Sequence, residues 1–90
     1  MPPEILERRP YAPKKADVWS LGVLLYRLLL DRFPFRGKDE REMALKIQRT
    51  KLVFAEWMEP ELQSLLRGML RKEPEGRWDM GQVIEHPWLH

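Results

Sequence analysis

Ninety residues, 43% hydrophobic and 33% charged, have room for a single core and are too apolar for a disordered chain. Sixteen basic against fourteen acidic residues leave a net charge of +2 with the signs interspersed along the chain, so no basic run marks nucleic acid as a partner. The lack of cysteine excludes a disulfide framework, a thiolate zinc site and a cysteine nucleophile, and fits a reducing compartment.

Helical punctuation recurs along the chain, with no hairpin signal and no internal repeat. A short apolar turn around Ile5 and Leu6 comes first, followed by a loop marked by Pro10 and Pro13. Asp17 is then placed to cap a helix over 18–30 by accepting from the free N–H groups of its first turn. Asp31 and Pro34 stop that helix, since proline has no backbone donor. Asp39 and Glu42 have the spacing of an Asp-x-x-Glu capping box, and Met43 and Ile47 fall on one face of the helix behind it.

A loop holding Phe54 and Trp57 leads to Pro60, suited to a first helical position. Leu62, Leu65, Leu66, Met69 and Leu70 follow at i, i+3, i+4, i+7 and i+8, the pattern of a helix lying on a core. Arg71 and Lys72 suit its negative carboxyl end, and Pro74 and Gly76 close it. Asp79, with Gln82 three residues on, opens a last helix in which Val83 and Ile84 are expected to face inward. The expected fold is all-α, one domain over residues 1–90.

The helix over 18–30 differs from the rest. Val23 to Tyr26 are consecutively apolar or aromatic, as are Leu28 to Leu30, so greasy groups point in nearly every direction. Such a helix belongs inside something. A Leu left exposed forgoes roughly 1.5–3 kcal/mol, and two amphipathic helices cover only part of the rod. Neighbours beyond this chain are implied. A membrane is not, because about 13 apolar residues fall short of the roughly 20 a span needs, and the "MPPEILERRP" terminus lacks a signal-peptide core. The expected location is intracellular, cytoplasmic or nuclear.

"PPEIL" at 2–6, "DVWSLGVLLY" at 17–26, "FPF" at 33–35, "LLRGMLRKEPEGRW" at 65–78 and "HPWL" at 86–89 stand in the order and spacing of a known family. The chain resembles the lower C-terminal lobe of a eukaryotic Ser/Thr protein kinase, of the calcium/calmodulin-dependent-like group, over essentially its whole length. The resemblance implies that the greasy helix is the lobe's central rod. It also implies that Glu4, in the Ala-Pro-Glu motif, pairs with Arg77, and that Asp17 braces the catalytic loop of the parent domain. The plainer readings are a surface Glu, a turn Arg and a helix cap. The helix over 39–49, with Asp39, Glu42, Met43, Lys46 and Ile47, occupies a frequent docking platform of the family, or is simply a surface helix whose apolar residues serve the core.

Phosphoryl transfer needs a Gly-rich loop over the phosphates, a Lys paired with a helix Glu, a proton-accepting Asp, and an Asn and Asp for magnesium. None of the motifs G-x-G-x-x-G, V-A-I-K, H-R-D-x-x-x-x-N or D-F-G occurs in the 90 residues. The expectation is a chain with no catalytic, cofactor or metal residues of its own, although the parent family uses ATP and magnesium. Its expected partner is the missing remainder of the domain or another protein, with self-association possible and neither nucleic acid nor membrane involved. The alternative is a self-standing helical scaffold, pseudokinase-derived or designed.

Three departures qualify the match. Pro2 replaces the usual Ala, Pro13 stands where many members carry Gly, and Arg27 occupies a position that is acidic in many members selecting basic substrates. Met1 directly before the motif suggests a cut piece, a truncated product or a design. Ser20 lies in a helix and not in a nucleophile elbow, which makes it a plain polar position. His86 and His90 are four apart, but Pro87 between them and the lack of other ligands disfavour a metal pair.

Overall fold

An 18-residue helix forms the axis of the computed structural model, which describes residues 1–9 and 12–89. In chain order the helices are α1 (Pro3–Leu6), α2 (Pro13–Leu30), α3 (Glu40–Arg49), α4 (Pro60–Met69) and α5 (Met80–Ile84), followed by a 3-10 turn over Pro87–Leu89. There is no strand among the described residues. Pro10, which the sequence places in the loop before α2, lies outside them.

The axial helix α2 begins a full turn before the expected point. Pro13 supplies a pre-set φ at the first position, where its missing donor is not needed, and Lys14, Lys15 and Ala16 are good helix formers. Ala12 precedes it in extended conformation with no side-chain cap. Asp17 is therefore an exposed residue inside the helix and not its cap, which corrects the sequence expectation. At the other end Asp31 takes the left-handed conformation, φ 54°, and its N–H donates to the Arg27 carbonyl, closing the helix before Pro34.

Caps were legible elsewhere. Asp39 accepts from the Glu42 N–H at 2.8 Å, and Asp79 and Gln82 form a reciprocal capping box at 2.8 and 3.0 Å. Pro60 opens α4 without a side-chain cap.

Packing follows the apolar faces. Leu62, Leu65, Leu66 and Met69 of α4 and its C-cap Leu70 are all buried, and α4 lies against α2. Trp19 and Tyr26 of α2, Phe35, Ile47, Met58 and the outer α4 leucines make the larger cluster; Val18, Leu65, Met69 and Val83 make the smaller. Trp19 stacks on Phe35, ring centres 5.7 Å apart and planes within 10°. Tyr26 carries its hydroxyl to the Val53 carbonyl, tying the loop after α3 to the axis. Gly68 sits where α4 meets the Trp78 indole, so close that a β-carbon there would lie 2.3 Å from the ring.

One inward expectation fails. Ile84 is 57% exposed although its neighbour Val83 is buried. Successive helical residues are about 100° apart, so a five-residue helix turning Val83 toward Leu65 swings Ile84 away from the core.

Candidate functional site

Three features bear on function: a buried ion pair, an open flank of α2, and the outer face of α3. The ion pair joins opposite ends of the chain. Glu4 enters from α1, and Arg77 from the turn that Pro74 and Gly76 shape before α5. Both side chains are fully buried, and the guanidinium meets the carboxylate in a two-point fork, Nη1 to Oε2 at 2.7 Å and Nη2 to Oε1 at 2.8 Å.

The remaining guanidinium protons are taken by backbone. Arg77 Nε donates to the Arg71 carbonyl at 2.9 Å, Nη1 to Lys15 at 2.9 Å and Nη2 to Lys72 at 3.3 Å. All five donors of the fork thus have acceptors, and the guanidinium carbon lies 5.0 Å from the Trp19 ring centre. Lys15 returns the contact by donating Nζ to the Arg77 carbonyl. One residue thereby holds α1, the start of α2 and the end of α4 together. Burial alone pushes the Glu4 carboxyl up, but the hydrogen bonds from Arg77 and from its own backbone N–H, with the charges of Arg77 and Arg9, outweigh it and hold Glu4 below the ordinary carboxylate range.

The sequence motif names the two charged partners but not the carbonyls of Lys15, Arg71 and Lys72. Nothing in a residue type announces where its backbone oxygen will point, so this half of the site has no sequence signal.

The open flank begins at Asp17. From there Leu21, Leu24 and Leu28 follow at i+4, i+7 and i+11, one stripe along α2, exposed by 39, 53 and 72%. Among the described residues the Asp17 side chain makes no hydrogen bond or ion pair. A carboxylate at the head of a leucine stripe can accept from backbone N–H groups of whatever covers that stripe.

On α3 the five expected docking residues separate. Ile47 is 1% exposed and belongs to the core, and Met43 is half-buried against it. Both therefore serve packing. Asp39 and Lys46 are exposed, Glu42 half-exposed, and the open face continues through Glu40, Arg41 and Leu45. Arg27 is engaged locally, 2.6 Å from Asp31 and stacked over Phe33 at 5.1 Å.

Ser20 is an exposed helix residue. His86 is buried: its Nδ1 accepts from the Trp88 N–H at 3.1 Å, its Nε2 faces Ser64 Oγ at 3.4 Å, and its ring tilts against Trp78. It is a packing and capping residue, and His90 lies outside the described residues. No group of potential metal ligands occurs among the described residues, and none of their helices is long and apolar enough to cross a membrane.

The chain is similar to known proteins over nearly its whole length. A family model described as protein kinase domain matches residues 1–89. Tribbles homolog 1 of Mus musculus is 44% identical over 88 residues, 97% of this chain and 24% of that protein. CBL-interacting protein kinase 22 of Oryza sativa subsp. japonica is 42% identical over 97% of this chain and 19% of its own length. Aurora kinase of Dictyostelium discoideum is 35% identical over 99% and 23%. The chain thus spans about a fifth to a quarter of the length of these relatives.

Proposed function

Because this chain belongs to the protein kinase family, we propose that it is the lower C-lobe segment of a Ser/Thr kinase-like catalytic domain of the calcium/calmodulin-dependent-like group, with a structural and protein-docking role. By itself it neither binds ATP nor transfers phosphate. Its buried Glu4–Arg77 tie fixes α1 against the α4–α5 turn, and Asp17 braces the catalytic loop of the complete domain.

The observation that carries this reading is the leucine stripe of α2. A stripe of Leu21, Leu24 and Leu28 left partly in water forgoes a fraction of the roughly 1.5–3 kcal/mol that full burial of each would give, a sizeable debit against a domain stability of about 5–15 kcal/mol. The rest of the catalytic domain is the natural cover, and the outer face of α3 remains free to dock a protein.

A second reading, a self-standing scaffold of pseudokinase descent, is favoured by the closed ion-pair site, which needs no atom outside the chain. Size-exclusion chromatography with ANS fluorescence separates the two. The lobe segment is expected to self-associate and bind the dye, whereas a scaffold stays monomeric and dark. Titration calorimetry with magnesium-ATP should show no saturable heat, and micromolar binding would overturn the silent role.

A further inference from the structure

Two shallow hollows adjoin on one face of the molecule. The first, about 300 Å³, lies between the turn after α2 and the end of α3, and Arg32, Arg36, Lys46 and Lys51 stand around it. The second, about 390 Å³, lies between residues 50–52 and the carboxyl end of α4, ringed by Lys51, Arg67, Arg71 and Lys72. Phe35, Thr50 and Lys51 line both, so the hollows form one trough.

No Asp or Glu lines either part. The ion pairs among the described residues use Arg9, Arg27 and Arg77, so no cation of the trough is in an ion pair with another described residue. Arg67 rests 4.9 Å over the Phe54 ring and Lys72 donates to the Gln48 carbonyl, neither contact being with a carboxylate. Beneath the cations the floor is apolar, with buried Phe35 and Leu70 beside Leu52, and Val53 stands exposed on the rim. Charges scattered in the sequence are gathered on one face by the fold. Gathered charge of one sign over low-dielectric walls focuses the field on an oppositely charged ligand.

We propose that this trough docks an acidic segment of a partner protein in which carboxylate and apolar side chains alternate. The cations take the carboxylates, and the apolar floor takes the residues between. A nucleic acid fits less well: affinity for it scales with phosphates neutralised, the molecule as a whole is only +2, Tyr26 and Phe35 are buried, and the exposed Phe33 ring at the trough already carries the Arg27 guanidinium 5.1 Å from its centre. The proposal rests on the protein-docking reading above and adds to it the face and the partner's chemistry.

Fluorescence anisotropy with a labelled peptide of alternating Glu and Leu tests it. Its Lys/Leu counterpart, a poly-Glu peptide and an oligothymidine serve as competitors. The expected result is saturable binding that weakens with salt and competes poorly with all three. Combining Arg36→Glu, Lys51→Glu and Arg71→Glu should weaken binding about tenfold or more. Combining Arg8→Glu, Lys14→Glu and Lys38→Glu makes the same charge change at exposed cations outside the trough and should alter binding less than about twofold.

Equal loss in both triple variants overturns the proposal, because net charge alone would then explain binding. Stronger competition by oligothymidine, sensitive to the trough variant, overturns it in favour of nucleic acid. Absence of saturable binding by a chain with intact helical circular dichroism overturns it outright. Binding that survives the trough variant but is lost on Glu40→Ala, Arg41→Ala and Leu45→Ala removes the trough and leaves docking by α3 standing.

Discussion

Arg77 carries more of the fold than any other polar side chain, and its surroundings decide how it can be tested. Exchanging the charges of Glu4 and Arg77 is a poor experiment, because a carboxylate at 77 would face the carbonyls of Lys15, Arg71 and Lys72. Neutral truncation is cleaner. Glu4→Gln and Arg77→Met should each cost about 3–5 kcal/mol, since each strands a buried partner. In urea unfolding the double variant should cost less than the sum by about 0.5–3 kcal/mol, and strict additivity would show that the contact is energetically idle. The same pair sets an acid response. Glu4 is held below its ordinary value near 4.5 in the folded chain, so on acidification the unfolded chain takes up its proton first. Its contribution is therefore complete above that value and fades as pH falls through the lowered one. Glu4→Gln should flatten the stability profile in that acid window alone. At Gly68 the constraint is space: Gly68→Ala drives a methyl into the Trp78 ring and should cost about 1–3 kcal/mol in the same assay.

At the scale of the element, sequence was most informative where a signal is local. The Asp79–Gln82 box, the Asp39 cap and the α4 stripe each rest on residues within one or two turns of one another, and each is present in the fold. The start of α2 departs from the sequence expectation because two local signals compete. A proline at a first helical position overrode an aspartate that looked like a cap, leaving Asp17 in the second turn. This difference has a measurable consequence. Asp39→Ala and Asp79→Ala should each lower stability by about 1 kcal/mol, whereas Asp17→Ala should change it by less than about 0.5 kcal/mol. A loss at Asp17 equal to the other two would restore it as a cap. Ile84 was misplaced for a related reason: adjacent apolar residues on so short a helix cannot share one buried side, and the sequence does not say which of them wins.

For the whole molecule, the all-α class and the central position of α2 were readable because a helix greasy on all sides has few places to go. What was not readable is long-range: which carbonyls complete the Arg77 site, which α3 residues the core keeps, and how scattered cations gather in one trough. These depend on the packing of segments distant in sequence. The Leu21, Leu24 and Leu28 stripe is open in this chain, and the proposed function requires that a complete domain cover it. Since the chain has no cysteine, Leu24→Cys introduces a single thiol whose labelling rate reports cover directly. The rate should be that of an exposed thiol in the 90-residue chain. It should fall by about tenfold or more when the same residues replace their counterpart in a whole relative such as mouse Tribbles homolog 1. Equal, fast labelling in both settings would contradict the account, because the stripe would then be surface and not an interface awaiting the rest of the domain.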